Sequence, residues 1–323
     1  MNNEKSQPIN KKPILALAPM AGYTDSAFRV MCLDCGADLI YTEMISAEAL
    51  ARNNKKTLKM LEFLAEEKNV VVQLFGKNPE AFAKAAKLIC FSRDRSRPVP
   101  TGIDINLGCP AHKVFKTGAG AALMDNKKLA REIIQAVLDN TNLPVSIKIR
   151  SQVKTTTAEE FIEFIKDLNF KMVMVHGRTL SQGMTGPIDF AMIKKVKELL
   201  PHKIVLGNGN INSSKDARKM LEKTGADGIG IGRGALGNPG IFNEIKKCLN
   251  KRACPPERQL VDLERRRENK ILHHAELFLQ QNDNLIPLRK HLVHYFKGQK
   301  NASEWRQKII NIKSLTDLEK ILF

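Results

Sequence analysis

GIDINLGCPAHKVFKTGAG, residues 102–120, is the stretch that decides how the rest of the chain is interpreted. Its first half alternates isoleucine with polar residues, which is typical of a strand, and a Gly-Cys-Pro sequence ends that strand abruptly. The thiol of Cys109 and the amide of Asn106 therefore stand at a strand end, followed by the cations of Lys113 and Lys116. These residues alone fit two interpretations equally well: a reactive site, or a buried thiol beside solvated lysines.

Further stretches along the chain have the length and apolar character of buried strands, and each is followed by a helical pattern. Repeated βα units with nearly continuous apolar strands predict an α/β fold, a (β/α)8 TIM barrel. A doubly wound open sheet is the alternative, and it is disfavoured because no GxGxxG follows the first strand. The predicted strands are 14–20, 38–44, 70–76, 102–108, 144–150, 171–177, 203–209 and 226–234.

The chain changes character after Gly240, where strand-like stretches stop and only helical patterns remain. We therefore predict two domains: a catalytic barrel over 1–240 and an all-helical C-terminal domain over 241–323. The helices predicted in the second domain are 258–280, 285–297, 303–312 and 315–322.

The charge balance favours a polyanionic partner. The 323 residues include 52 Lys and Arg against 34 Asp and Glu, which gives a net charge of +18 and a pI near 9.7. A basic surface of this kind gains affinity for nucleic acid by releasing counterions. The C-terminal segment is more basic per residue than the barrel, so we predict that its helices grip a nucleic acid. Ordinary solvated helix faces are the other interpretation of that charge.

Cysteine usage and hydropathy indicate a soluble protein of the cytoplasm. Six cysteines in a chain of this size make no disulfide scaffold, so we expect reduced thiols. Cys32 and Cys35 form a CxxC without a second pair, so we expect no metal site. The apolar run over 14–18 is too short for a secretory signal, and no stretch reaches the roughly 18 apolar residues of a membrane span.

Polar residues collect at the carboxyl ends of the predicted strands, where barrel enzymes carry their active sites. Lys148 interrupts an apolar strand, and a buried cation needs an anionic partner. That partner is either an electron-rich cofactor ring or a carboxylate, Glu43 or Asp104. Glycine turns after the last two strands, at 207–211 and 230–240, free backbone N–H groups for a phosphate, although tight structural turns also use glycine.

Several motifs, in order along the chain, together resemble the tRNA-dihydrouridine synthase family. They are APMAGYTD (18–25), LGCP (107–110), KTGAGAALM (116–124), VHGRT (175–179), NGNI (208–211) and GRGALGNPGIF (232–242). RKHLVHYFKG (289–298) is similar to the tail of the bacterial DusB-like branch of that family. The resemblance implies a flavoenzyme in which 1–240 is an FMN-binding barrel and 241–323 is a helical domain that binds tRNA.

The resemblance also implies an activity, the FMN-dependent reduction of a specific uridine in tRNA to 5,6-dihydrouridine. NADPH is expected to reduce FMN, hydride passes to C6 of uracil, and Cys109 adds the proton at C5. A thiol is mostly protonated near neutral pH and can donate a proton. Asn106, Arg178 and Lys113 are expected to bind substrate. The residues expected to bind FMN are Pro19, Met20, Ala21, Gln73, Lys148, His176, Asn208, Gly209, Asn210, Gly232 and Arg233.

Two positions depart from the family pattern. Asn210 stands where the family usually has aspartate, so the phosphate site is retained if this residue contributes mainly its backbone N–H. Ser151 and Gln152 follow Arg150 where the family often has Arg-x-Gly after the fifth strand.

Three other functions stay open on the residues alone. An FMN-dependent free-pyrimidine reductase or dehydrogenase would share the barrel and the thiol but needs no basic helical tail. A phosphate-binding isomerase or aldolase would be colourless, and a non-catalytic RNA-binding protein would bind tRNA without a flavin. We expect tRNA as the partner of a cytoplasmic monomer, with no protein partner and no membrane contact.

Overall fold

Parallel strands close into a ring of eight, which confirms the predicted (β/α)8 barrel. The structure, a computed structural model, describes residues 12–90, 99–250 and 261–323, with 261–266 described as backbone only. The strands are β1 (Ile14–Leu17), β2 (Leu39–Tyr41), β3 (Ile45–Ser46), β4 (Val70–Phe75), β5 (Gly102–Asn106), β6 (Val145–Val153), β7 (Thr156–Thr157), β8 (Met172–Thr179), β9 (Ile204–Asn208) and β10 (Gly228–Ile231). The ring runs β1-β2-β4-β5-β6-β8-β9-β10 and returns to β1.

Helices cover the outside of the ring and form the C-terminal part of the chain. In chain order they are α1 (Ser26–Asp34), α2 (Ala47–Ala51), α3 (Lys55–Leu58), α4 (Pro79–Cys90), α5 (His112–Phe115), α6 (Ala122–Asp125), α7 (Lys127–Leu138), α8 (Ala158–Ile165), α9 (Phe190–Leu199), α10 (Ser214–Thr224), α11 (Ile241–Leu249), α12 (Val261–Leu279), α13 (Arg289–Tyr295), α14 (Ala302–Ile309) and α15 (Leu315–Leu322). The predicted start of a helix at 258 lies outside the described residues.

The barrel strands are apolar on both faces because both faces are buried. On β1, Leu15 and Leu17 join a large core shared with the surrounding helices, whereas Ala16 joins a small core with Tyr41 and Met174 from other strands. Alternate residues of a strand point to opposite faces, so the small core fills the inside of the ring. This double burial is the reason that each predicted stretch overlaps an observed strand, although β6 and β8 extend beyond the predicted ends.

Local chain breaks divide two of the predicted helices. After β3, Asn53 takes a left-handed conformation (φ 53°) and Asn54 caps the next turn, so two short helices replace one polar helix. In the predicted helix over 285–297, Pro287 lies in a 3-10 turn and has no N–H, so the α-helix begins only at Arg289. Strand β6 is longer than predicted and turns back at Lys154 (φ 45°) to pair with β7.

Helix α11 packs with the barrel, since Ile241, Phe242 and Ile245 are buried in the barrel's core. A second core joins the later helices to α1, with Val30 and Met31 among its members. The division into domains at 240 and 241 stays a prediction, and this packing favours a boundary after α11.

A buried polar cluster joins α1 to α13. Asp25 caps α1, and one of its oxygens lies 3.0 Å from Nε2 of His291, which is 1% exposed. Although burial opposes ionisation, the hydrogen bond and charge of His291 hold the pKa of Asp25 at about 2. Nearby, Nδ1 of the buried His274 lies 3.1 Å from the hydroxyl of Tyr295. The chain segment before α1 is therefore anchored to the C-terminal helices.

Cys32, Cys35, Cys90 and Cys109 are free thiols. Cys248 is disulfide-bonded, so the prediction of reduced thiols is wrong at that position. Within the described ranges, no helix is long and apolar enough to cross a membrane, and no group of three or more His, Cys, Asp or Glu side chains is placed to hold a metal ion.

Candidate active site

A cavity of about 420 Å³ opens at the carboxyl ends of the barrel strands. It brings together all of the residues predicted to bind FMN, the predicted proton donor Cys109, and two of the three predicted substrate residues, Asn106 and Arg178. The third, Lys113, is exposed on α5 and does not line the cavity. Residues from the beginning and the end of the barrel thus meet at one mouth, as the order of strands requires.

The cavity wall is cationic. Lys148, Arg150, Arg178 and Arg233 line it, and none of the lining residues that the structure describes is a carboxylate. Four cations at one cavity repel each other unless an anion is bound between them. The wall therefore fits a ligand with several negative charges.

Lys148 extends from β6 into this cavity. Its Nζ donates a hydrogen bond to Oδ1 of Asn208, at 3.3 Å. Burial and the nearby charge of Arg150 lower the pKa of Lys148 to about 8. Neither carboxylate considered from the sequence pairs with it among the described contacts: Glu43 accepts the N–H of Gly22, and Asp104 accepts from two polar side chains.

His176 lies in the buried part of β8 and is neutral. Burial, together with the charges of Lys148 and three arginines, lowers its pKa to about 2. Its Nε2 lies 3.5 Å from Nη1 of Arg178, and Nη2 of Arg178 donates to Oδ1 of Asn210 at 3.4 Å. A neutral imidazole here can accept or donate a hydrogen bond without adding charge to the cavity.

The turn after β9 has a backbone that few side chains tolerate. Gly209 has φ +120°, and a Cβ there would lie 2.9 Å from Cδ2 of His176. Asn210 follows in the left-handed region (φ 56°), which asparagine tolerates better than most residues. After β10, Arg233 begins a 3-10 turn and donates from Nη2 to the carbonyl of Met184 at 3.0 Å. Both turns therefore bring backbone close to the cavity beside Arg233.

Cys109 is half-buried at the rim, and Asn106 holds its loop. Oδ1 of Asn106 accepts the N–H of Cys109 at 2.9 Å and that of Gly108 at 3.2 Å. Its Nδ2 donates to Oε1 of Gln73 at 2.8 Å and lies 3.8 Å from Sδ of Met44. The amide of Asn106 is thus already engaged within the protein, which limits the pairing with a substrate edge expected from the sequence.

Several residues of the wall have no role predicted from the sequence. Arg150 donates to the carbonyls of Gly108, Thr179 and Gly183 at 2.8–2.9 Å, so it ties the cysteine loop to the loop after β8. Tyr23 and His294 line the mouth, and their rings are 5.6 Å apart. The position of Arg150 at the end of a predicted strand could have indicated that it lines the mouth. The approach of α13 to the mouth is a tertiary contact that no local sequence pattern reveals.

Comparison with known proteins identifies the relatives of this chain. Residues 16–322 match the family model described as Dihydrouridine synthase (Dus). A probable tRNA-dihydrouridine synthase of Treponema pallidum is 32% identical over 98% of this chain and 94% of its own. The tRNA-dihydrouridine synthase B of Xanthomonas axonopodis is 33% identical over 98% and 93%, and that of Shewanella oneidensis is 38% identical over 75% and 74%.

Solved structures show the likeness of the fold. A histamine dehydrogenase from a Rhizobium species matches with a TM-score of 0.51 at 14% identity, over 72% of this chain and 45% of its own. A 2-naphthoyl-CoA reductase matches with a TM-score of 0.55 at 11% identity, over 72% and 49%. The match covers about half the length of each of those proteins, and at this identity it shows a likeness of fold alone.

Proposed function

We propose that this chain, which belongs to the dihydrouridine synthase family and to its DusB-like branch, reduces a uridine of tRNA to 5,6-dihydrouridine. The proposed cofactor is FMN, and the proposed reductant is NADPH. The observation that carries the proposal is the cavity itself: four cations, a rim cysteine and glycine turns around one opening. The names of its relatives supply tRNA as the substrate.

The donor set fits FMN. Lys148 is buried without a carboxylate partner among the described contacts, and its cation suits the pyrimidine edge of a flavin, which gains negative charge on reduction. Arg233, with the turns after β9 and β10, suits a phosphate. The apolar side chains of Pro19, Met20 and Met44 line the same cavity and suit a flat ring system. When bound and reduced by NADPH, FMN supplies the hydride for C6 of uracil.

Cys109 is proposed as the proton donor at C5 of uracil. Its position at the rim, with its backbone held by Asn106, keeps the thiol at the opening of the cavity. Positioned general acids accelerate reactions by about 100-fold to 10,000-fold. Arg178 lines the same wall and is proposed to hold the substrate, whereas the exposed Lys113 can contact only the outer part of a bound RNA.

The target base must leave its stack to reach this cavity. A flipped base enters a pocket while the RNA backbone stays outside, on a basic surface. The net charge of +18 supplies that surface, and α13 brings Lys290 and His294 to the mouth. We therefore propose that the C-terminal helices grip tRNA while the barrel does the chemistry.

A free-pyrimidine reductase or dehydrogenase remains the alternative, since it would use the same cavity and thiol. The charge of the chain favours tRNA over a free base, because a small neutral base gains nothing from counterion release. Binding of tRNA with a steep salt dependence, and no turnover of free uracil or uridine, separates the two functions.

The proposal is tested with tRNA from cells that lack this protein. Mass spectrometry of nuclease fragments is expected to show one or more uridines that lose the two-hydrogen increment present in wild-type tRNA. Restoring the gene is expected to return the increment. An unchanged dihydrouridine map in the deleted cells, where no second gene of the family compensates, contradicts the proposal.

A further inference from the structure

A chain of hydrogen bonds runs inside the barrel from Asp104 to the cysteine loop. Asp104 lies on β5, is 0% exposed, and accepts from the hydroxyl of Ser146 at 2.6 Å and from Nε2 of Gln73 at 2.7 Å. Gln73 accepts in turn from Nδ2 of Asn106 at 2.8 Å. Oδ1 of Asn106 then accepts the N–H of Cys109 at 2.9 Å. This series of hydrogen bonds therefore ends on the backbone N–H of Cys109, the proposed proton donor.

Every link of this chain has a fixed direction. An ionised carboxylate only accepts hydrogen bonds, so the side facing Asp104 must be the NH2 group of Gln73. The oxygen of Gln73 then faces Asn106, which must present its own NH2 group. This leaves the oxygen of Asn106 for the N–H groups of Gly108 and Cys109, which only donate. If the amide of Asn106 turned over, its NH2 group would face the N–H donors of the cysteine loop. If the amide of Gln73 turned over, its NH2 group would face that of Asn106 and its oxygen would face Asp104.

Asp104 itself is held as a carboxylate at neutral pH. Burial raises its pKa to about 6, and the hydrogen bonds from Ser146 and Gln73, together with the nearby charge of Lys148, oppose a larger rise. It does not line the cavity, so it has no access to substrate. Its position suits it to act through its neighbours.

We propose that Asp104 is a positioning residue for Cys109: its carboxylate fixes the direction of the Gln73 and Asn106 amides and thereby holds the cysteine loop in place. The consequence for catalysis rests on the proposed function. The consequence for the loop does not, because it concerns hydrogen bonds within this chain alone.

The first test compares Asp104→Leu with Asp104→Asn. Leucine has a similar shape but no acceptor, whereas asparagine can keep its oxygen toward Gln73 and donate its NH2 group to the hydroxyl of Ser146. Asp104→Leu should keep its flavin and be reduced by NADPH, with some loss of flavin affinity because Gln73 is predicted to bind FMN. With flavin saturating, we expect it to lose about 100-fold in kcat for tRNA, because a small misplacement of a catalytic group costs about this much. We expect Asp104→Asn to stay within about threefold of wild type, since its hydrogen bonds are retained.

A second readout is independent of activity. Alkylation of Cys109 by iodoacetamide, followed by mass spectrometry of its peptide, is expected to be about fivefold faster in Asp104→Leu than in Asp104→Asn, because a hydrogen bond that holds the loop is lost. Cys35 in the same samples serves as the internal reference. Equal alkylation rates, wild-type kcat in Asp104→Leu, or loss of flavin from that variant each overturn the proposal, the last because Asp104 would then serve the cofactor site.

A charge exchange covers the case in which Asp104→Leu does not fold. Asn106→Asp alone places a carboxylate at each end of Gln73, which has only one NH2 group, so the thermal midpoint is expected to fall. Adding Asp104→Asn restores a fully paired chain with its direction kept at Cys109, so the double variant is expected to regain stability and a slow alkylation rate. If Asp104→Asn does not relieve the defect of Asn106→Asp, the inference is overturned. If the wild-type protein does not reduce tRNA, the proposed function is refuted. The charge exchange then still decides whether Asp104 positions the cysteine loop.

Discussion

Nζ of Lys148 donates to Oδ1 of Asn208 across the mouth of the barrel, from β6 to β9. Among the described residues, this bond to a neutral amide is the hydrogen bond that Lys148 makes, and the charge of the nearby Asp104 acts on the lysine without a hydrogen bond between the two. Because the cavity wall adds three arginines, the lysine is poised for an anionic ligand.

Flavin binding is predicted to weaken as the pH rises above about 8. Burial and Arg150 lower the pKa of Lys148 to about 8, so above that pH the free protein loses the cation that the flavin requires. Below it the affinity stays level, and above it the dissociation constant rises by up to about tenfold per pH unit. Fluorescence titration of the flavin-free protein with FMN, at pH values from about 6.5 to about 9.5, measures this pH dependence on both sides of the lowered pKa of Lys148.

Lys148→Arg is the matched variant for that titration, since a guanidinium stays charged throughout the range. It is expected to bind more weakly at neutral pH and to show no loss above it. A wild-type affinity that stays level to high pH would show that Lys148 does not contact the flavin.

Arg233→Met is predicted to remove the preference for FMN over riboflavin. Arg233 lies beside both glycine turns, where we place the phosphate, and a charge-assisted hydrogen bond contributes about 1.5–3 kcal/mol. The affinity for FMN should fall by about 10-fold to 100-fold while that for riboflavin hardly changes. Lys215→Met, at an exposed lysine on α10, is the control. Equal losses for the two flavins would place the phosphate elsewhere.

Cys109→Ala is predicted to separate the two halves of the reaction. In the proposed reaction the thiol supplies only the proton, so the variant should stay yellow and be reduced by NADPH at the wild-type rate. Dihydrouridine formation should fall by about 100-fold or more. Stopped-flow absorbance of the flavin and mass spectrometry of tRNA measure the two steps. Full activity would remove Cys109 from the mechanism.

The sequence predicted the strands and the mouth better than it predicted what each side chain does there. Strands buried on both faces are visible as apolar runs, and their carboxyl ends must meet at one rim. The engagement of Asn106 was not visible, because its partner Gln73 comes from another strand. The exposed position of Lys113 depends on how α5 leaves the rim, and the break at Pro287 depends on the loop before it.

The protein is predicted to lose stability as the pH falls below about 6.5. Burial lowers the pKa of His176 to about 2 and that of His274 to about 3, so in mild acid the unfolded chain binds protons that the folded chain does not. Each histidine should reduce the free energy of unfolding by about 1.4 kcal/mol per pH unit between roughly pH 6 and 4. Below about pH 4, protonation of Asp25 adds to the loss.

Urea denaturation at several pH values measures this slope. His274→Asn should reduce the slope of the unfolding free energy against pH by about 1.4 kcal/mol per pH unit, the contribution of one histidine, even if that variant is less stable at every pH. His202→Asn, at an exposed position, should leave the slope unchanged. The overall slope also contains the opposite contribution of Asp104, whose pKa burial raises to about 6, so the variant decides the question. A slope between roughly pH 6 and 4 that is the same in His274→Asn and wild type would show that His274 is not buried as a neutral group.

The most direct test of the central claim is the reaction itself. Purified protein is incubated with NADPH and with tRNA transcribed in vitro, and the nuclease fragments are weighed by mass spectrometry. We expect a yellow protein whose bound FMN is bleached by NADPH, and a tRNA in which a uridine gains two hydrogens. A colourless protein that binds no FMN, or unmodified tRNA in the presence of reduced flavoprotein, would contradict it.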